Sequence, residues 1–560
     1  MSLNKICKPV VCEWPIFLSL ILLRSYNLLT VVWGLYLSFE WFDLLGFFLK
    51  SSFYVFTAYL FTWLAYKSKV LKYLIYAVLI VVFFIAEVLS IQLKTGVNPD
   101  TMMMLLQTNS REASEFFPTY IFNAKLWLVS GITAIAGIVI IGMEMLRKRF
   151  KIVQLPKWCA CIVVSFLLLG AVSSLHYSRL FMQKTPNDII SWCMKNQYPG
   201  DIYASTVASA WNINCLENGT ERMLAYNEKI LKEDIKSGKA PNDSLTVIFV
   251  MGESFIKHHS SLYGYRLKTN PKLEKEKESG NLFVFTNVQT RCSSTNQAIS
   301  NVFSCNSLAH NEQATDNAFF PALFKNKGYF VSMLDNQRVD NTPELKFRTR
   351  EFFFNEGICK MAYSFYNDEC ATLDGDFVKM YEKQFENRHQ NQLIILHLQG
   401  QHHQATTRYR HTPEYTRFKS SDYDYRQEKW LTDEKKQLIA EYDNCTFYND
   451  AVISHVFDMV RDRNAVAIYL SDHGEEIYDY RDNMGRVGVD GNDPQMRRYI
   501  YEIPFMVWCS DRYIQKYPER VEKIRRSLGK SFTSDNVCQL LFTLSGLQTI
   551  VYKAERDLLS

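Results

Sequence analysis

Two short stretches carry side chains that could hold a metal ion. Met251-Gly252-Glu253-Ser254 and Ser471-Asp472-His473-Gly474-Glu475-Glu476 each follow a short apolar run, and both contain hard or borderline metal ligands. Glu253 with Asp472 and His473 would supply three of the four ligands a tetrahedral zinc takes, leaving the open position a catalytic zinc keeps. A third stretch, Asn287 to Cys305, supplies hydroxyls: Ser293, Ser294 and Thr295 stand just before an amphipathic run, as at a helix N-terminus. A hydroxyl there meets the positive end of the helix dipole and backbone donors, a setting suited to phosphate. A neighbouring zinc would lower its pKa enough to attack phosphorus. Each stretch also has a plainer reading. Asp-His-Gly triplets occur by chance, a carboxylate after a strand is commonly solvated or caps a helix, and a hydroxyl before a helix is commonly an ordinary N-cap. Their joint placement at strand ends is what points to a site.

The elements that would position these residues are legible as well. Leu245–Val250 is a continuous apolar run rich in β-branched residues, which predicts a buried parallel strand. Similar runs recur at Gly328–Leu334, Leu393–Leu398, Ala465–Leu470 and Ile503–Trp508, separated by helical patterning such as Lys435–Val460. That alternation predicts an α/β sheet covered on both faces, with its chemistry at the carboxyl ends of the strands.

Apolar residues make up 48% of the 560 and crowd into the first third. Windows of roughly 20 residues give five candidate membrane spans: Trp14–Leu37, Leu44–Tyr66, Val70–Ile91, Leu126–Met145 and Trp158–Leu175. Arg24, Lys50 and Glu87 fall within them and must snorkel, pair or face a polar interior. The first span is too long for a signal-peptide h-region and lacks a cleavage site, so it is expected to stay. Lys5 and Lys8, then Lys67, Lys69 and Lys72, then Arg147 to Lys157 mark the cytoplasmic sides. Five crossings place everything after about Leu175 outside. The expected organisation is a transmembrane helical domain over 1–178, bridging helices over 179–240 and a catalytic domain over 241–560. Of thirteen cysteines, nine fall in the exported part, where disulfides persist; nine is odd, so one stays unbridged or pairs between chains. The net charge of +5 is modest, and its basic excess is explained by topology, which argues against a nucleic-acid partner.

These residues together resemble the phosphoethanolamine transferases of the alkaline phosphatase superfamily, over nearly the whole chain. The most specific part is Gly252-Glu253-Ser254 followed by Ser261-Leu262-Tyr263-Gly264-Tyr265 and Thr269-Asn270-Pro271. The resemblance implies a five-helix transmembrane bundle followed by an alkaline-phosphatase/sulfatase-like α/β domain, in a bacterial inner membrane with the catalytic domain in the periplasm. It implies zinc bound by Glu253, Asp472, His473 and Thr295. Thr295 is the nucleophile because Thr-Asn-Gln-Ala-Ile-Ser is similar to the family's Thr-x-x-Ala-Val-Ser, with Ser293 and Ser294 as alternatives. It further implies disulfides Cys292–Cys305 and Cys359–Cys370, and a histidine facing the phosphoryl group at His402 as proton donor or substrate ligand. His397 reads rather as a structural partner in its strand. Asn336 and Gln337 resemble head-group pocket residues, and Thr108-Asn109-Ser110-Arg111-Glu112 is similar to a motif near the lipid head group, with Thr108 and Glu112 as its contacts.

The chemistry so implied is a two-step transfer by a monomer. Phosphatidylethanolamine is the donor, a phospho-threonine the intermediate, and lipopolysaccharide (lipid A or core) or another envelope glycan the acceptor. Two departures count against lipid A itself: Met104 stands where that branch has Asn, and no His follows His473. The stretch Asp479 to Arg486 is closer to branches that modify core sugars or glucans. Rival readings are a phosphoglycerol transferase using phosphatidylglycerol, which the Ser-Leu-Tyr-Gly-Tyr run disfavours, and a membrane-anchored scaffold or sensor without turnover. A sulfatase is disfavoured because Ser294 and Asn296 stand where the formylglycine signature, read from Cys292, needs Pro and Arg.

Overall fold

A computed structural model of the protein describes residues 3–24, 41–92, 124–149, 156–184, 188–189, 192–193, 196, 202–238, 240, 243–337, 355–386, 391–402, 404–486 and 493–560. The chain divides into two compact units, Met1–Glu217 and Asn218–Ser560.

The first unit is helical: α1 Leu3–Cys12, α2 Trp14–Arg24, α3 Trp41–Lys67, α4 Lys69–Gln92, α5 Ala124–Arg149 and α6 Lys157–Tyr177. Among the described residues three segments are long and apolar enough to cross a membrane, Lys69–Ile91, Lys125–Arg149 and Lys157–Met182, with mean hydropathies of 2.8, 2.2 and 2.2. A bent pair, Lys5–Cys12 and Trp14–Leu23 at 79°, makes a fourth if it counts as one span. The expected first span begins just past the turn at Glu13; its start, Trp14–Arg24, is the helix α2, and its remainder after Arg24 lies outside the described residues. The expected second span is a continuous helix, α3, that does not meet the same measure. Apolar side chains such as Trp127, Ile138 and Val172 face outward from these helices, as they do where lipid is the solvent. The charges cluster instead. Lys72 Nζ lies 2.6 Å from Glu13 and 2.7 Å from Glu144, and Arg147 Nε lies 3.0 Å from Glu144.

A 33-residue helix, α7 (Ile202–Asp234), spans the division between the units. In the second unit the strands are β1 Thr246–Gly252, β2 Leu282–Phe285, β3 Val288–Gln289, β4 Phe330–Asp335, β5 Phe365–Tyr366, β6 Gln392–His397, β7 Ala465–Ser471, β8 Phe505–Cys509 and β9 Phe532–Thr533. Seven of them form one sheet in the order β2-β8-β7-β1-β6-β4-β5. The five runs read from sequence are its five central strands. The apolar run of β1 is continuous because both its faces are covered. Val247, Phe249 and Met251 join one hydrophobic cluster, and Ile248 and Val250 join the other. The sheet is not wholly parallel: β8 runs antiparallel to β7 and β2 antiparallel to β8. Ser471 N–H donates to the Pro504 carbonyl at 3.3 Å, so β8 enters the sheet at the end where β7 leaves it and runs antiparallel to it.

Five helices complete the frame of the site: α8 Pro271–Glu278, α9 Thr295–Phe303, α10 Asp374–Met380, α11 Asp433–Asp458 and α12 Val537–Ser545. The short parallel pair β3–β9 steadies the lead into α9, with Val288 opposite Phe532 and Gln289 opposite Thr533. Thr290 N–H donates to the Tyr501 carbonyl at 2.8 Å just beyond it.

Candidate active site

β1 and β7 are parallel neighbours with Gly252 opposite Ser471, so Glu253 and the Asp472-His473 pair leave the sheet at the same edge. All three side chains are buried, and their ligand atoms lie within 4.8 Å of one another. α9 brings the hydroxyl. Thr295 is its first residue, and Oγ1 donates to the Glu253 carboxylate, 3.0 and 3.1 Å from its two oxygens, while lying 3.2 Å from His473 Nε2. Ser294 is the extended N-cap and makes no side-chain capping bond, so it does not consume the donors of the first turn. Of the three hydroxyls in this stretch, Thr295 is the one in contact with the cluster.

The protonation of His473 follows from its contacts. Nδ1 is 2.8 Å from the Gly474 carbonyl oxygen, which can only accept, so Nδ1 carries a proton. Nε2 faces Asp472 Oδ2 at 2.9 Å and Glu253 Oε1 at 3.4 Å. Two buried carboxylates and an imidazole nitrogen converge on one place, and Asp472 Oδ2 has no hydrogen-bond donor. Buried acceptors facing acceptors are stable only around a cation, so these residues fit a divalent metal ion bound through nitrogen and oxygen. The nearest protein cation is Arg486, whose guanidinium touches His473 Nε2 and donates to the Ser293 carbonyl at 2.8 Å.

The surrounding backbone is built to hold Glu253. Ser254 sits at φ +55°, a left-handed conformation that costs about 1–3 kcal/mol in a non-glycine residue. It is fixed by Tyr442, whose hydroxyl donates to the Ser254 carbonyl at 2.6 Å and accepts from Ile256 N–H at 2.7 Å. Ser254 N–H donates to Asp472 Oδ1 at 3.1 Å. From the β6 side, Gly400 (φ +50°) lies so close that a Cβ there would stand 2.7 Å from both the nitrogen and the carbonyl oxygen of Glu253. Gln401 N–H donates to that same carbonyl at 2.9 Å.

A chain of side chains runs from the neighbouring strands to the same carboxylate. Asp335 Oδ1 is 2.9 Å from His397 Nδ1, His397 Nε2 is 3.1 Å from Gln337 Nε2, and Gln337 Nε2 is 3.3 Å from Glu253 Oε2. Gln337 thus reaches the site, and His397 is a buried partner of Asp335. Asn336 is buried, and its amide binds Asp374 Oδ1 at 2.8 Å and Ala371 N–H at 2.8 Å. Asp374, at the start of α10, also accepts from Gln399 and Gly400 N–H at 2.9 and 2.8 Å; burial raises its pKa against these opposing donors. His402 lies half-buried two residues past Gly400, its N–H donating to the Gln399 carbonyl. Thr108 and Glu112 lie outside the described residues.

The expected Cys292–Cys305 disulfide is not formed. Both residues are thiols, buried in the same hydrophobic cluster. Cys292 accepts from Asn301 Nδ2 at 3.6 Å. Cys359 and Cys370 are thiols too, so the second expected bridge is absent; the Cys370 thiol reaches the Asp335 carbonyl oxygen at 3.4 Å.

Sequence reasoning missed three contributors. Asp335 ends β4 and was open to the same strand-end rule that found Glu253. Arg486 gave no spacing signal, because twelve residues of loop separate it from His473. The third is His259, buried between Asp443 Oδ1 at 2.7 Å and Asp479 Oδ1 at 2.9 Å. Burial alone would push its pKa down, but the two carboxylates outweigh it and hold it up to about 10. Tyr265 and Tyr423 donate to the other Asp443 oxygen, so one imidazolium ties the loops after β1 and β7 to α11.

Comparison with known proteins agrees with this geometry. A family model described as Sulfatase matches residues 245–531, just over half of the 560. Phosphoethanolamine transferase EptC of Escherichia coli O18:K1:H7 is 25% identical over 433 residues, covering 74% of this chain and 70% of its own length. Phosphoethanolamine transferase CptA of Salmonella typhimurium is 24% identical over 482 residues, covering 82% and 76%. The solved integral membrane lipooligosaccharide phosphoethanolamine transferase A (EptA) of Neisseria meningitidis superposes with a TM-score of 0.59 over 97% of each chain at 17% identity, a likeness of fold.

Proposed function

The chain belongs to the sulfatase family, and from that premise we propose that it transfers phosphoethanolamine from phosphatidylethanolamine to a lipopolysaccharide or other envelope glycan. The observation that carries the reading is the Thr295 hydroxyl at a helix N-terminus, 3.0–3.2 Å from Glu253 and His473. Family membership does not bring sulfate-ester hydrolysis with it, because Ser294 and Asn296 stand where the formylglycine signature needs Pro and Arg. The names of the relatives favour phosphoethanolamine as the group moved.

Zinc held by Glu253, Thr295, Asp472 and His473 would supply Lewis-acid chemistry, lowering the pKa of the threonine hydroxyl and drawing charge from the phosphoryl oxygens. Thr295 Oγ1 forms the bond to phosphorus as the bond to the diacylglycerol oxygen breaks, and the hydroxyl proton leaves toward Glu253. The first-turn backbone donors of α9 and the Arg486 guanidinium face the negative charge that develops on phosphorus oxygens. Gln337 holds Glu253, and His402 gives a proton to the departing diacylglycerol oxygen. In the second half an acceptor hydroxyl takes the phosphoethanolamine and Thr295 is regenerated, a ping-pong scheme.

The N-terminal unit is a five-crossing anchor in the bacterial inner membrane, with the catalytic unit in the periplasm and with Thr108 and Glu112 contacting the donor head group. The Lys72–Glu13–Glu144–Arg147 cluster supports that topology, since it gathers basic residues that the charge pattern assigns to one side. The test is intact-mass spectrometry of the purified protein after incubation with phosphatidylethanolamine or phosphatidylglycerol. A phosphoethanolamine adduct is expected from the first lipid alone, and neither in Thr295→Ala nor after metal chelation. A phosphoglycerol adduct would replace the donor, and no adduct from either lipid would overturn the reading.

A further inference from the structure

The turn Arg497–Tyr501 is π-helical: Glu502 N–H donates to the Arg497 carbonyl, five residues back, at 3.1 Å. Turns of this kind are rare and frequently mark functional sites. This one is pressed against the loop that begins at His473. Gly474 N–H donates to the Ile500 carbonyl at 2.7 Å, and a Cβ on Gly474 would collide with the Tyr499 carbonyl oxygen, so only glycine lets the turn come this close. The turn presents Arg498, which is exposed. Its guanidinium lies over the Tyr499 ring, 5.8 Å from the centroid, and Tyr499 stacks on Tyr480 with 5.7 Å between centroids and 17° between planes. Among the described residues Arg498 meets no carboxylate. The acids of these loops that flank the tyrosines are engaged elsewhere: Glu476 holds Arg481, Asp479 holds His259 at 2.9 Å, and Asp493 accepts from Gln495 N–H at 2.8 Å. An exposed cation, held by an aromatic stack and left without a counter-charge, therefore stands on a turn that touches the residue next to His473.

We propose that Arg498 binds the acceptor, through an anionic substituent that the acceptor sugar carries in addition to the hydroxyl that takes the phosphoethanolamine. The inference rests on the reading of the chain as a transferase to an envelope glycan. A guanidinium is the side chain best matched to a phosphate or carboxylate, which it meets with two parallel hydrogen bonds. The donor lipid is not its partner. The one phosphate of phosphatidylethanolamine is the reacting group, met by Thr295 and Arg486, and its remaining charge is an ammonium, which a guanidinium repels. What is left for Arg498 is a negative group on the second substrate, such as the sugar phosphates of lipopolysaccharide. The tyrosine stack restricts the guanidinium before the acceptor arrives, so less side-chain freedom is lost on binding. Tyr480, which completes that stack, belongs to the stretch Asp479 to Arg486 that sets this sequence apart from the lipid A branch. Arg498 makes and breaks no bond; it holds the acceptor while the transfer proceeds at Thr295.

The test uses the full chain in nonionic detergent, loaded with phosphatidylethanolamine to form the covalent adduct and then discharged with purified lipopolysaccharide at rising concentration. Intact-mass spectrometry reads both halves. Arg498→Gln is expected to load like the wild type, but its half-saturating lipopolysaccharide concentration should rise about 10-fold while the limiting discharge rate holds. Arg498→Lys should recover part of the loss. Salt at about 0.5 M should raise the wild-type value and narrow the gap to Arg498→Gln, because an exposed charge is screened. Equal half-saturation in wild type and Arg498→Gln overturns the proposal. Slower loading in the variant gives the arginine to the donor instead. A shift that appears only when phosphatidylglycerol is added to the detergent gives it to the membrane surface, and a wild-type adduct that lipopolysaccharide does not discharge overturns the choice of acceptor. Absence of any adduct in the wild type sinks the transferase reading itself, whereas a normal adduct with unmoved half-saturation sinks the role of Arg498 alone. If Arg498→Gln melts well below the wild type, Arg498→Lys and the salt dependence of the wild type decide.

Discussion

Asp335 and Gln337 act on Glu253 without belonging to the cluster, so they are positioning residues. Asp335 orients His397, His397 meets Gln337, and Gln337 meets the carboxylate. Partners of this kind commonly account for 10–100-fold in metal affinity or rate. Asp335→Asn is therefore expected to lower transfer by about that factor and to weaken metal retention in a competition with a chelator, while the fold survives. An unchanged chelator midpoint would mean the chain does not transmit to Glu253. Arg486 has a different part, since its charge lies beside the place where phosphoryl oxygens must come. Arg486→Gln should reduce the yield of the covalent adduct from phosphatidylethanolamine by roughly 10²-fold with the metal content intact. Loss of the metal instead would assign the arginine to structure.

At the scale of elements, the site depends on how closely three turns approach. The β6 turn presses on the β1 turn at Gly400, where a Cβ would stand 2.7 Å from two Glu253 backbone atoms. Gly400→Ala must push that backbone away as well as accept a φ of +50°, which costs about 1–2 kcal/mol by itself. Its transfer rate is expected to fall much further than its melting temperature. The β7 loop is held by the His259 imidazolium between Asp443 and Asp479, with Tyr265 and Tyr423 on Asp443 and Arg426 on the Asp479 carbonyl. A folded pKa of about 10, above the ordinary value of about 6.5, means that this clamp contributes fully below the unfolded value and is lost as pH rises through 10. Denaturant midpoints measured at pH 6, 8 and 10 should fall in wild type and fall less in His259→Gln. Parallel curves would show that the clamp carries no linkage.

For the whole molecule, the anchor and the catalytic unit solve different problems of burial. In the first unit many apolar side chains face outward, while Lys72, only 4% exposed, sits between Glu13 and Glu144. Lys72→Met leaves two carboxylates beside Arg147 alone, and breaking a buried ion pair from one side costs about 3–5 kcal/mol. Detergent-solubilised Lys72→Met should melt lower than wild type, and Glu144→Gln combined with it should recover part of the loss. Recovery of nothing would mean the cluster is not coupled. Apolar periodicity read from the sequence alone was sufficient for the central strands, because a strand covered on both faces must be a continuous apolar run. The pairing of Glu253 with Asp472 and His473 at neighbouring strand ends followed from the same reasoning, since chemistry in such sheets gathers at carboxyl ends. Other features depended on distances between segments remote along the chain: the antiparallel turn of β8, the Asp335–His397–Gln337 chain, and Arg486 beside His473. Local propensity contains no term for such distances. They are fixed when the two faces of the sheet close over their cores, which is why the residue types were visible in the sequence and their partners only in the fold.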